Sequence, residues 1–478
     1  MSIETTTPEP TGSTAGAAPE LVRELTDLLP GGAVVTDADI VAGYRQDRTM
    51  DPSAGTPLAV VRARTEDDVC AVLRFASKHR VPVVPRGAGS SVVGGSTAVD
   101  GAITLSVEML DDISVDREAM TAVVGPGAVN DAVSAAAAAE GLFYPPDPTS
   151  SDFCSVGGNV ATNSGGANGY KYGSTRDYVL GLRVVLADGS LVEIGGGAPK
   201  SSTGLPLAGL FVGSEGTLGV ITQVTLRLLP APSARHTLAA FFAGHDAAFD
   251  AAAAIAHRMR PSELVILDRP ALEVAESMLH MGLESDTRAV LYGYSDAGPG
   301  AEGEIALMAD ICREHGAPEV FTTDDPGQGD MVSRPRTAFF EVLEGSCAMV
   351  VEDYVLPAGA LGGFLSTVHD VAAQTGQQIL TYAYPADGVV HPVITFDPAD
   401  GESAGRAFGV RARLTEAVAG LGGAIAAEYG IGADKRQAVA DASDAGAAAL
   451  QRRVKELFDP AGILNPRALL PLDPSTRS

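Results

Sequence analysis

Residues 85–95 read P-R-G-A-G-S-S-V-V-G-G and follow the apolar run V-P-V-V. Glycine permits positive φ and lets main-chain N–H groups come close to a ligand. Successive N–H groups in such a turn form a concave anion site, suited to a pyrophosphate. Arg86 adds a fixed charge, and Ser90 and Ser91 add hydroxyl donors. The loop matches neither the G-x-G-x-x-G fingerprint nor the G-x-x-x-x-G-K-[ST] loop. Three more turns of this kind follow, each beside apolar segments: D-P-T-S-S at 147–151, V-G-G-N-V-A-T-N-S-G-G at 156–166 and G-S-E-G-T-L-G at 213–219. From the residues alone these are several backbone anion or ligand loops. Glycines that serve only the turn remain an alternative at each.

The elements around these loops can be read from spacing. Leu21, Leu25 and Leu28 place a helix over 20–29, closed by P-G-G, and 37–44 is a second short helix. Residues 58–63 read as a strand. A helix over 65–78 follows, with Thr65 as its N-cap and acids in its first turn. The strand 81–84 then feeds the first loop. Strands at 102–107 and 122–124 precede a helix over 130–141, and Y-P-P-D-P at 144–148 is irregular because proline blocks ladder and helix bonds. A strand from Tyr178 runs into an A-D-G-S hairpin turn, 220–229 is a long alternating strand, and P-A-P at 230–232 marks a domain boundary.

Beyond that boundary, strands are expected at 263–267, 288–294 and 349–355, and helices at 246–259, 271–281, 300–314 and 361–375. The pattern predicts an antiparallel sheet with helices on one face. Two long helices bracket E-Y-G-I-G between 401 and 457. The fold class is α+β. The chain divides into a disordered tail over 1–18, a first domain over 19–230, a second over 231–400 and a C-terminal segment over 401–478.

Composition narrows the function classes. The chain has 478 residues, 45% hydrophobic and 19% charged, which fits a globular protein of two or three domains. A net charge of −27 opposes nucleic acid and anionic membrane surfaces. No run of 18 apolar residues predicts a membrane span. Cys70, Cys154, Cys312 and Cys347 lie far apart and read as reduced core thiols of a cytoplasmic protein. The N-terminus lacks the basic and apolar regions of a signal peptide.

The four loops, in this order, resemble the flavin domain of the vanillyl-alcohol oxidase / p-cresol methylhydroxylase superfamily. The resemblance is closest to its D-lactate dehydrogenase and glycolate oxidase large-subunit branch and covers about residues 54–470. It implies a two-subdomain FAD-binding domain of the p-cresol methylhydroxylase type, a ferredoxin-like substrate cap, and C-terminal helices returning to the flavin. It places the FAD pyrophosphate on Arg86, Gly87, Ala88, Gly89, Ser90 and Ser91. Pro146, Ser150, Gly157, Asn159 and Thr162 would line the ribityl and ring, while Asn163 is open to a turn role only. Gly219 and Ile221 would meet the adenine through backbone groups, and Asn465 in I-L-N-P would approach the ring from the other side. No histidine or cysteine lies between Val81 and Asp100, so non-covalent FAD is expected.

The substrate side departs from that family. Where the family carries G-H-A-G-D-G-N-L-H-P, this chain reads A-Y-P-A-D-G-V-V-H-P at 383–392: Tyr384 stands for the first histidine and His391 keeps the second. Where it carries G-E-H-G-I-G, this chain reads A-E-Y-G-I-G: Glu428 is kept and Tyr429 stands for the base. Imidazole is a good zinc ligand and a base near neutrality, whereas a phenol is mostly a donor there. Tyr429 would need its pKa lowered by roughly 2–3 units to act as a base. His391 and Glu428 alone are a poor site for zinc or manganese, since catalytic sites supply three protein ligands. His391 as metal ligand, as base, or as an ordinary buried residue all stay open. Arg334, in S-R-P-R-T-A-F-F, is favoured over Arg336 as the clamp for a substrate carboxylate, with a solvated surface role as the alternative.

Three functions fit this reading. The first is FAD-dependent oxidation of a small D-2-hydroxy acid such as D-lactate or glycolate, with Tyr429, Tyr384, His391 and Arg334 at the reaction. The second is oxidation of a larger alcohol without a metal. The third is a flavin-binding subunit without turnover. The final electron acceptor is unspecified, and a homo-oligomer is compatible with all three.

Overall fold

The computed structural model describes residues 18–49, 51, 53–232 and 235–470. The tail expected over 1–18 lies, apart from Ala18, outside the described residues. The first unit holds two sheets. One is four-stranded, in the order Val34–Val35, Ala59–Arg62, Ile103–Ser106, Val83–Arg86, with the last three strands parallel. The helix Glu66–His79 covers it through Val69, Leu73 and Ala76. That helix starts at a capping box: Asp68 N–H donates to Thr65 Oγ1 (3.2 Å), and Thr65 N–H donates to the Asp68 carboxylate (3.1 Å). The strand Val83–Arg86 delivers the chain directly to the first glycine-rich loop.

The second sheet is five-stranded and antiparallel. Its order is Ile113–Asp116, Thr121–Val124, Val220–Arg227, Val179–Val185, Leu191–Gly195. The central strand Val220–Arg227 begins just after the G-S-E-G-T-L-G turn and buries Val224 and Leu226. The short helix Val156–Thr162 packs on this strand, so two glycine-rich segments share one floor.

The second unit is an antiparallel sheet of eight strands. Its first four strands follow the ferredoxin-like order, with Glu319–Thr323, His236–Phe242, Ala289–Ser295 and Glu263–Asp268 as neighbours in that sequence. The sheet continues through Ile379–Tyr384 and Val389–Phe396 to Ala348–Val351. Helices cover both faces, which corrects the expectation of one covered face. His245–Arg258, Ala301–Glu314, Leu361–Thr375 and Gly401–Gly420 pack on one side. Arg269–Leu279 and Pro335–Glu344 pack on the other. The strands show the reason: every residue of Glu263–Asp268 and Ile379–Tyr384 is buried, so neither face meets water.

The chain leaves this unit after Gly401–Gly420 and passes through residues 427–432 back to the first unit. The helix Ala445–Phe458 follows, and Phe458 meets Phe211 edge-on at 5.4 Å. Residues 463–465 then run beside the strand Val83–Arg86, where Asn465 N–H donates to Val83 O (2.8 Å).

Candidate active site

The four glycine-rich segments meet around one cavity of about 550 Å³, within the range of cofactor sites. Arg86, Gly87, Ala88, Gly89, Ser90, Ser91, Ser150, Gly157, Asn159, Thr162, Gly219 and Ile221 line it. The second unit closes it with Phe340, Cys347 and Met349, and the returning segment adds Glu428 and Tyr429.

The first loop is held from below. Ala88 N–H donates to Ser155 Oγ (3.3 Å), and the same hydroxyl caps the helix Val156–Thr162 through Gly158 N–H (3.4 Å). A Cβ on Gly87 would overlap that Ser155 hydroxyl, which is why glycine stands there. Arg86 does not reach outward as a free cation. Its guanidinium folds under Gly89, lies 3.4 Å from Ser96 O and sits 5.7 Å from the Tyr44 ring centre. Among the described residues, the N–H groups of Gly89, Ser90 and Ser91 have no protein partner. Three such donors in a segment that lines the cavity suit an anion that would supply the missing acceptors.

Two expected cofactor residues lie behind the wall. Pro146 is buried, and its carbonyl accepts from Asn130 Nδ2 (3.0 Å); Asn130 Oδ1 in turn accepts from Asn159 Nδ2 (2.9 Å). Asn465 is 3% exposed, and its Nδ2 donates to Gly95 O (2.8 Å) and Glu215 O (2.7 Å). It ties the first and fourth loops together. Asn163 ends the helix Val156–Thr162 in a left-handed turn, with φ of 55°.

On the opposite side stand Glu428 and Tyr429. The Tyr429 hydroxyl hydrogen-bonds that of Tyr382, a residue the sequence reading missed. Tyr382 stacks on His391 at 4.3 Å, Tyr384 meets the same ring edge-on at 5.2 Å, and Tyr429 lies 5.2 Å from it. Burial pushes all three phenols well above the usual tyrosine range. They are hydrogen-bond donors, not bases, at neutral pH.

His391 is fully buried, and burial lowers its pKa to about 4. Its Nδ1 lies 3.1 Å from Glu352 O; a carbonyl only accepts, so the proton sits on Nδ1 and Nε2 is a bare acceptor. That Nε2 has no hydrogen-bond partner among the described residues and lies 3.7 Å from Glu428 Oε2. Glu428 Oε1 accepts from Gly166 N–H (2.7 Å), and burial lifts the carboxyl to about 7.

A divalent metal does not fit this donor set. One imidazole and one carboxylate face each other among phenols, and among the described residues no group of three or more His, Cys, Asp or Glu side chains is placed to hold a metal ion. The expected carboxylate clamp is also displaced. Arg334 lies on the surface of the second unit, bonded to Thr337 Oγ1 (2.7 Å) and Glu341 (2.8 Å), and does not line the cavity. Arg336 is more buried, paired with Glu263. The arginines on the cavity wall are Arg48 and Arg86.

The solved structure of p-cresol methylhydroxylase with substrate bound superposes with a TM-score of 0.81, covering 97% of this chain and 98% of the other at 19% identity. The fold is therefore of the p-cresol methylhydroxylase type. The family described as "FAD binding domain" matches residues 57–195, and "FAD linked oxidases, C-terminal domain" matches residues 231–469. Glycolate oxidase subunit GlcD of Bacillus subtilis is 34% identical over 88% of this chain and 90% of its own. D-lactate dehydrogenase of Archaeoglobus fulgidus is 32% identical over 88% of this chain and 94% of its own. The chain belongs to the FAD-linked oxidase family: it is an FAD-linked oxidoreductase. No helix among the described residues is long and apolar enough to cross a membrane.

Proposed function

We propose that this enzyme oxidises the CH–OH group of a small D-2-hydroxy acid of the D-lactate or glycolate kind. The observation that carries the reading is Glu428, a carboxyl on the cavity wall that is 15% exposed, accepts from Gly166 N–H and stands 3.7 Å from the bare Nε2 of His391, with its pKa lifted to about 7. A proton acceptor is most effective when its pKa lies near the working pH. Bound FAD supplies the hydride acceptor, held non-covalently by the first loop's free N–H groups. Glu428 takes the hydroxyl proton, with the bare Nε2 of His391 beside it. Tyr429, held by Tyr382, donates a hydrogen bond to the substrate oxygen. Arg334 takes no part in this reading. The names of the two relatives support the substrate class.

Anaerobic mixing of the FAD-loaded enzyme with D- and L-lactate, glycolate and longer 2-hydroxy acids tests it. The D acids and glycolate bleach the flavin band. Glu428→Gln slows bleaching by about 10²–10⁴-fold while FAD stays bound. A flavin band unmoved by every 2-hydroxy acid sinks the proposal.

The phenol-rich donor set favours a second reading, a larger alcohol oxidised without a metal. Turnover of chelator-treated enzyme discriminates: D-lactate or glycolate as best substrate supports the hydroxy acid, and a larger alcohol as best substrate supports the second. We further place the enzyme in the cytoplasm, a reading supported by four unpaired cysteines.

A further inference from the structure

Residues 427–432, which carry Glu428 and Tyr429, belong to no helix or strand. Five of their six N–H groups end on two carboxylates. Asp353 Oδ2 accepts from Ala427 (2.9 Å), Glu428 (2.7 Å) and Tyr429 (2.8 Å). Glu215 accepts from Ile431 and Gly432, each at 2.7 Å. Both acids are buried, at 0% and 5% exposure. Asp353 sits in the second unit between Ala348–Val351 and Tyr354–Val355; Glu215 sits in the G-S-E-G-T-L-G turn of the first. The loop therefore hangs across the seam from one acid on each side. Gly430, with φ of +81°, passes so close that a Cβ would lie 2.7 Å from Glu215 Oε1.

Asp353 has its own anchor. The buried ammonium of Lys435 pairs with it and with Glu352 (3.0 Å), and donates to Ile425 O (3.0 Å). Arg411 joins Glu352 (2.8 Å) to Asp434 (2.7 Å) behind them. Lys435 and the three N–H donors therefore converge on the Asp353 carboxylate and fix its position.

We infer that Asp353 is a positioning residue for the reaction: its carboxylate, anchored by Lys435, holds Glu428 and Tyr429 at the cavity wall and sets a like charge beside Glu428. The inference rests on the reading of Glu428 as proton acceptor. The groups facing Glu428 are Tyr382 and Tyr384 from one strand, His391 from the next, Asp387 from the turn between them, Tyr429 and Asp353. Burial raises Glu428 most, the Gly166 N–H opposes that, and Asp353 and Asp387 add to the rise.

The test uses the FAD-loaded full chain and infrared difference spectra recorded across pH. The protonated-carboxyl band that Glu428→Gln lacks reports Glu428 alone, without turnover. It also separates Glu428 from Glu215, which burial likewise lifts to about 7. Asp353→Asn moves the Glu428 midpoint down by about one pH unit and lowers kcat by about tenfold or more, with KM changed by less than about twofold. Lys435→Met leaves the carboxylate without its counter-charge and moves the midpoint up, which covers the case in which Asp353→Asn does not fold. A Glu428 midpoint moved by neither substitution overturns the inference. If the midpoint moves as stated and Glu428→Gln still turns over at the parent rate, the proton-acceptor reading falls and the placement of Asp353 stands.

Discussion

A phenol beside an imidazole changes which group can hold a proton, and the change shows at single residues. His391 keeps the place of a metal ligand, yet it is neutral and buried, with its one N–H spent on Glu352 O. Tyr429 stands where a base is expected, and burial keeps it protonated. That leaves Glu428, and its pKa makes two predictions. The first is that kcat/KM rises with pH and levels above about 7, and that Glu428→Gln flattens this limb. The second concerns stability. The folded pKa of Glu428 lies above its unfolded value of 4.5, so the fold prefers the protonated form. That preference is fully present below pH 4.5 and is lost as pH rises through about 7. Glu428→Gln therefore stabilises the protein at pH 8 by at most about 3 kcal/mol and leaves pH 4 nearly unchanged. Urea melts at the two pH values check it; an equal effect at both sinks it. Residue types made Tyr384, His391, Glu428 and Tyr429 legible in the sequence. Tyr382, Asp353 and Glu215 were not, because their meaning comes from partners 47 to 217 residues away.

At the scale of elements, each loop is shaped by a neighbour rather than by its own sequence. The first loop rests on Ser155, so the Gly87 position tests that dependence. Gly87→Ala drives its Cβ into the Ser155 hydroxyl and lifts the loop. We expect FAD to bind at least about tenfold more weakly, a loss of about 1.4 kcal/mol. Adding Ser155→Ala removes the obstructing oxygen and restores part of the affinity, though it forfeits the helix cap, worth about 1 kcal/mol. Gly101→Ala is the control: φ is +70° but nothing lies within 4 Å, so only backbone strain results. Fluorescence titration of FAD measures all three; equal affinities for Gly87→Ala and Gly101→Ala would refute the dependence. Helices with caps and apolar spacing were readable, and 361–375 is observed as Leu361–Thr375. The strands Ile379–Tyr384 and Val389–Phe396 were missed. They are buried on both faces, so they show no alternation, and I-L-T-Y-A-Y alone does not separate a strand from a buried helix segment. The helices Pro326–Ser333 and Pro335–Glu344 were missed as well, and the second carries Phe340 to the cavity.

At the scale of the molecule, the cavity exists only while the two units stay together, since each supplies part of its wall. Residues 168–172 of the first unit form a polar latch. Lys171 and Tyr172 both bond Asp296 of the second unit, Tyr172 at 2.6 Å, and Ser262 bonds it as well. Tyr294 bonds Asn168, and Arg260 Nε donates to Tyr170 O (2.8 Å). The latch directly follows Gly166, whose N–H holds Glu428. Opening it therefore disturbs the proton acceptor as well as the wall. The Asp296 side chain is 3% exposed and Lys171 25%, so removing the carboxylate leaves a half-buried cation unpaired. Asp296→Ala should cost about 3 kcal/mol, near the lower end for breaking a buried pair because Lys171 keeps some water. The surface pair Arg334–Glu341, at 37% and 51% exposure, gives the comparison: Glu341→Gln should change stability by less than about 1 kcal/mol. Scanning calorimetry with flavin fluorescence followed in parallel distinguishes latch from ornament. If the latch couples the units, Asp296→Ala splits the melting of the holoenzyme into two steps and flavin release accompanies the first. A single transition within error of the Glu341→Gln enzyme would show that apolar contacts hold the seam and that residues 168–172 merely lie along it.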